Sequence, residues 1–136
     1  MALDTVVFIY FIEEHPDFMK PLLPLFEAID TQAVQAVTSG ITLLEVLTLP
    51  YRAQDVALAE RYESLLTQSR GLHLVDIDRP LLHAAAQLRA RFSKIRTPDA
   101  LQLAAALRTS CTAFITNDRS LPTLPGLKIV QLGEYR

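Results

Sequence analysis

Cys111 is the one cysteine among 136 residues, so no internal disulfide can form and nothing points to a secreted, disulfide-stapled scaffold. Its expected role is that of a small buried hydrophobe near a strand. No run of about 18 or more uncharged apolar residues occurs, which excludes a transmembrane helix. The apolar start from Met1 to Ile12 carries Asp4 and lacks a basic leader, which argues against a signal peptide and for a cytoplasmic protein. A basic excess is missing as well. There are 13 Lys and Arg against 15 Asp and Glu, for a net charge of −2. Any grip on nucleic acid must therefore come from a local patch, or from cations that bridge carboxylates to phosphate. Internal repeats, low-complexity tracts and long linkers are also lacking.

What is present reads as one globular domain spanning 1–136. Half the residues are hydrophobic and 21% are charged. Short apolar segments with strand character alternate with helical ones. Ala2–Asp4 with Val6 and Val7 reads as a β start running into Phe8–Glu13. Pro16 and Pro21 break the next stretch, and Leu22–Ile29 is helical in pattern. Ala33–Thr38 reads as a second strand, closed by Ser39 and Gly40. Ile41–Leu49 is a helix ended by Pro50, and Gln54–Gln68 is a second helix of that pair. Leu72–Val75 is a third strand. Asp78 and Pro80 open a helix to about Phe92. Thr97 as N-cap, Pro98 at the first helical position and Asp99 in the first turn then start a helix, Ala100–Arg108, that is apolar nearly all round. Ala113–Thr116 and Leu127–Val130 are the last strands. Strands separated by helices require crossovers, so the expected fold is α/β: a three-layer α/β/α sandwich on a parallel sheet of four to five strands. Ligands in such sheets sit beyond the C-terminal strand ends, where strand order reverses.

Four acids lie on elements whose ends can converge there. Asp4 ends the first strand, and Asp118 follows the fourth by two residues. Asp99 starts the helix leading into that fourth strand, and Glu45 is embedded in the apolar helix after the second. Clustered carboxylates repel one another and raise their own pKa values. A hard cation, Mg²⁺ or Mn²⁺, resolves the conflict and retains waters for a substrate phosphate. The chemistry this allows is in-line phosphodiester hydrolysis by metal-activated water. Each acid also has a purely structural reading. Asp99 suits a helix dipole, Asp118 suits a turn, and Glu45 suits the wet side of an amphipathic helix. Asp4 is harder to explain that way, because it interrupts an apolar strand. No histidine stands beside Cys111 or a strand-end serine as an orienting base. His15, His73 and His83 lie in unrelated elements without metal-site spacing.

Leu3-Asp4-Thr5, Thr42-Leu43-Leu44-Glu45-Val46-Leu47, Arg96-Thr97-Pro98-Asp99-Ala100-Leu101-Gln102-Leu103-Ala104-Ala105-Ala106 and Phe114-Ile115-Thr116-Asn117-Asp118-Arg119 occur in this order across essentially the whole chain. With these segments the chain resembles the PIN-domain family, particularly the VapC-like toxins of bacterial and archaeal toxin–antitoxin pairs. The resemblance implies a parallel sheet of order 3-2-1-4-5, which brings Asp4 and Asp118 side by side with Glu45 and Asp99 facing them. It implies that Asp4, Asp99 and Asp118 are metal ligands. Glu45 is then a ligand of a metal-bound water or a base positioning the attacking water. Thr5, Thr116 and Asn117 match the polar residues that hydrogen-bond around the acids. Val6 departs from the small polar residue common there, a change in the surroundings of the ligands rather than in the ligands themselves.

The resemblance further implies RNA as substrate, a homodimer, and a small antitoxin whose tail occupies the acidic groove. Arg96, in the basic cluster Arg89, Arg91, Lys94 and Arg96, and Arg119 are candidate RNA phosphate contacts. A solvated helix end explains the cluster equally well. Phe8–Phe11 and Leu22–Phe26 offer apolar surface for a dimer or antitoxin, with core packing as the default. A catalytically silent PIN-fold module that binds RNA or protein is the alternative function. Receiver domains and haloacid-dehalogenase phosphatases fit less well, because Asp4 has no paired acid and Asp4-Thr5-Val6 is not Asp-x-Asp.

Overall fold

The computed structural model describes residues 1–135. The first strand, β1 (Ala2–Leu3), is only two residues long and gives way at once to helix α1 (Thr5–Ile12). The Val6-Val7 pair expected to extend the strand is helical instead. Asp4 takes an extended backbone conformation and its carboxylate accepts the Thr5 N–H at 2.8 Å, so an N-cap overrides the β propensity of the valines. Helix α2 (Met19–Asp30) begins earlier than Pro21 suggests, because Pro21 falls in the first turn, where its missing N–H has no partner to lose.

Strand β2 is Ala36–Ser39 and is followed by α3 (Ile41–Arg52). Pairing starts only at Ala36, whose N–H reaches the Gly71 carbonyl at 2.8 Å, so the chain from Ala33 to Gln35 stays outside the strand. Pro50 does not end α3 but lies buried inside its last turn. The remaining elements are α4 (Val56–Gln68), β3 (Leu72–Val75), α5 (Arg79–Arg91), α6 (Thr97–Arg108), β4 (Ala113–Thr116), β5 (Lys128–Gln131) and a 3-10 turn at Leu132–Glu134.

The five strands form one sheet in the order β3-β2-β1-β4-β5, with every pairing parallel. Successive strand residues face opposite ways, which divides the core in two. Ala2 and Phe114 face α5 and α6, packing with Leu81, Ala85, Leu88 and Leu103. Leu3 and Ala36 face the other layer, with Val7, Phe8, Leu22, Phe26, Val46 and Tyr62 from α1 to α4. The architecture is the expected three-layer α/β/α sandwich. Phe8, Leu22 and Phe26 are spent on this core, with Phe26 packed edge-on against Phe8 and stacked on Phe11; Leu23 remains exposed. Among the described residues no helix is long and apolar enough to cross a membrane.

Gly71 carries the chain into β3 past the end of α2. A Cβ there would collide with the Ile29 carbonyl oxygen and lie 2.7 Å from that of Val34. Both are backbone atoms and cannot swing aside. Gly71→Ala is therefore expected to destabilise the fold by about 1–3 kcal/mol. Urea unfolding should show this as a lower midpoint at unchanged slope.

Candidate active site

β1 is the point where strand order reverses, since β2 and β3 lie on one side of it and β4 and β5 on the other. Beyond the C-terminal ends of β1 and β4 opens a cleft of about 440 Å³. Asp4, Glu45, Asp99 and Asp118 all line it, together with Thr5, Asn117, Arg96 and Gln102. Acids that are up to 114 positions apart in the chain thus share one cavity.

Each acid is held by a distinct local device. Asp4 accepts the Thr5 N–H through Oδ1 and the Thr116 hydroxyl through Oδ2, at 2.8 and 2.7 Å. Thr116 in turn accepts the Asp118 N–H at 3.0 Å, which couples the ends of β1 and β4. Asp118 turns Oδ1 toward Ser120, accepting its N–H and hydroxyl, while the Gln131 amide holds the Asp118 carbonyl at 3.1 Å. Glu45 accepts the Thr5 hydroxyl at 2.7 Å. Asp99 accepts the Arg96 N–H at 3.2 Å and lies 3.6 Å from Arg96 Nε. Thr97 is thereby the first residue inside α6 and not its cap. Arg96 occupies the cap position, and Asp99 reaches back to its backbone.

Below the acids lies a buried polar group that the sequence reading passed over. Gln102, 2% exposed, donates from Nε2 to Thr42 and Thr5 at 2.7 and 3.1 Å, and its Oε1 accepts the Ser39 N–H at 3.1 Å. Thr42 meets Thr38 at 2.6 Å, and Thr38 donates to the Leu3 carbonyl at 2.8 Å. The signal was available: one glutamine among the apolar residues of a helix buried nearly all round must find partners for its amide. Asn117 also acquires a partner, donating to the Tyr10 hydroxyl at 3.2 Å at the lip of the cleft.

The two candidate phosphate contacts differ. Arg96 lines the cleft with a side chain 78% exposed. Arg119 is not among the lining residues and reaches Glu134 at 3.7 Å. His73 and His83 are exposed, and His15 packs on Tyr10 and Phe18 away from the acids.

Burial pushes the Asp4 carboxyl above the ordinary aspartate range. The bonds from Thr116 and Thr5 oppose this, and the nearby charges of Asp99 and Glu45 add to it. Among the described residues no group of three or more His, Cys, Asp or Glu side chains is gathered into a ready metal site. The donors nonetheless fit a hard divalent cation. They are all oxygens, they share a cavity, and Mg²⁺ needs only one or two carboxylates directly because it keeps several of its waters. All four acids meanwhile carry protein partners: Asp4 has Thr5 and Thr116, Glu45 has Thr5, Asp99 has Arg96 and Asp118 has Ser120.

Because its folded-state pKa is raised, Asp4 favours the native state when protonated. It withdraws stability as pH rises through the carboxylate range, and the loss is complete above its folded pKa. Asp4→Asn keeps a capping oxygen and removes the charge. Without divalent cation it is expected to melt at or above the wild-type temperature at pH 7. Thermal scans at falling pH should narrow that difference.

The family model for the PIN domain matches residues 1–127. No curated protein matches the sequence. Solved structures do. A toxin–antitoxin complex from Klebsiella pneumoniae is similar at a TM-score of 0.67 and 21% identity, with 93% of each chain covered. DNA-bound VapBC from Salmonella typhimurium gives a TM-score of 0.67 at 22% identity over 96% of each chain. FitAcB from Neisseria gonorrhoeae gives 0.66 at 17% over 96% of each. At these identities the likeness is one of fold, and it agrees with the sheet order. The matched family model covers nearly the whole chain, including all four acids, and the chain belongs to the PIN domain family.

Proposed function

We propose that this protein is a metal-dependent endoribonuclease and the toxin of a toxin–antitoxin pair, working in the cytoplasm as a single domain. The observation that carries the reading is the convergence of Asp4, Glu45, Asp99 and Asp118 on one cleft at the sheet's switch point. The PIN family match and the toxin–antitoxin complexes among its structural relatives support the biological role.

In this reading Asp4, Asp99 and Asp118 hold Mg²⁺ or Mn²⁺, with Glu45 at the edge of the same site. The bound ion supplies a water of lowered pKa and a counter-charge for the phosphoryl oxygens. The rest falls to the protein. Asp4 is held from two sides, by Thr5 and Thr116, so its carboxylate cannot rotate away. Glu45, with one oxygen on Thr5, has lone pairs left to orient the attacking water and take its proton. Arg96, exposed at the rim, meets an RNA phosphate when its weak pairing with Asp99 is exchanged for a stronger charge partner. With a net charge of −2, the protein binds RNA through these few contacts and the metal rather than through a general positive field. The partners are RNA, a second copy of the chain and a small antitoxin.

The test is cleavage of RNA by wild type, Asp4→Asn and Asp99→Asn, with Mg²⁺ or Mn²⁺ and with chelator. Wild type should cut only with metal. Each variant should lose about 100-fold or more in kcat/KM, equivalent to ~2.7 kcal/mol of transition-state stabilisation, while circular dichroism shows an intact fold. RNA that is bound but never cut would replace the enzyme by a silent binding module. Cutting that survives both chelator and substitution would remove the metal mechanism.

A further inference from the structure

We propose that Gln102 is a positioning residue for Glu45, acting through the hydroxyl of Thr5; this rests on the nuclease reading above. The case is one of counting protons. Thr38 has a single hydroxyl proton, and the Leu3 carbonyl at 2.8 Å takes it ahead of Gln102 Oε1 at 3.4 Å. Thr42 must then be the donor in its 2.6 Å bond to Thr38. Gln102 Nε2 has two protons, and both neighbours within reach are hydroxyl oxygens, Thr42 at 2.7 Å and Thr5 at 3.1 Å. With one lone pair of Thr5 filled by the amide, its own proton is directed to Glu45 Oε1 at 2.7 Å.

Without Gln102 a competing arrangement opens. Thr5 and Thr42 lie 3.2 Å apart, and Thr42, its own proton given to Thr38, is then free to accept from Thr5. A Thr5 proton spent on Thr42 leaves Glu45 unanchored. Gln102 Oε1 is fixed at the other end by the Ser39 N–H, so the amide cannot flip to offer its oxygen instead. The residue also stands three positions after Asp99 on α6, so the helix that delivers one acid to the cleft sets the orientation of another.

The experiment is a double-mutant cycle with Gln102→Met, which keeps length and apolar bulk but has no amide, and Thr5→Val. Two readouts are taken: kcat and KM on RNA at saturating Mn²⁺, and Mn²⁺ affinity by calorimetry without RNA. Each single variant should lose about 10-fold in kcat with KM nearly unchanged, and about 10-fold in Mn²⁺ affinity. The double variant should be no worse than the poorer single. Losses that multiply, or a Gln102→Met protein within about twofold of wild type on both readouts, overturn the proposal. If Gln102→Met fails to fold, Gln102→Glu keeps the acceptor for Ser39 and removes both donors, and the same cycle decides. Wild type that binds Mn²⁺ without cutting RNA defeats the nuclease reading alone, and the calorimetric cycle still judges Gln102.

Discussion

Two hydrogen bonds to one carboxylate organise this molecule. The Thr5 N–H and the Thr116 hydroxyl both end on Asp4, the first starting α1 and the second tying that start to β4. Bonds to a charged acceptor contribute roughly 1.5–3 kcal/mol each, which offsets part of the cost of desolvating Asp4. The two-residue first strand is short because its last act is to deliver this acid. Two of the other acids are placed relative to it: Asp118 through the shared Thr116, and Glu45 through the adjacent Thr5.

Function and stability pull against one another here. A protein selected for stability alone would not put a half-buried carboxylate near two others. The fold tolerates it by backing Asp4 and Glu45 with Thr5, Thr42, Thr116 and Gln102, whose side-chain protons are committed. Such a network gains little net energy over an apolar core, but it leaves one arrangement satisfied and the alternatives unsatisfied. α6 shows both sides at once. Its alanines and leucines fill the core, and a single glutamine among them serves the polar layer.

The parts of this structure legible in the sequence were those with period and chemistry of their own. Alternating strands and helices led to a parallel sheet, and four acids at element ends led to the cleft, with the PIN resemblance supplying strand order. The errors came from places where one residue outweighs a local preference. Val6 and Val7 favour a strand until Asp4 caps a helix over them. Pro50 signals a helix end, yet a proline one turn from the terminus costs a single hydrogen bond and packs well. Thr97 is the better capping residue by type, but Asp99 bonds the backbone of Arg96 and moves the start back by one. Gln102 was hidden for a different reason. Its meaning depends on Thr5, Thr38 and Thr42, which only folding brings near, and a pattern along one helix cannot name partners on other elements.

The last strand holds a consequence of its own. β5 has β4 as its single neighbour in the sheet and begins just beyond the matched residues, yet its Gln131 grips the carbonyl of Asp118. Margins of a sheet are where backbone pairing frays first. The two walls of the cleft are therefore fastened differently: Asp4 is anchored at the centre of the sheet, whereas Asp118 is also tied to its outermost strand. Loss of the last strand would take a fastening from one jaw and leave the other untouched.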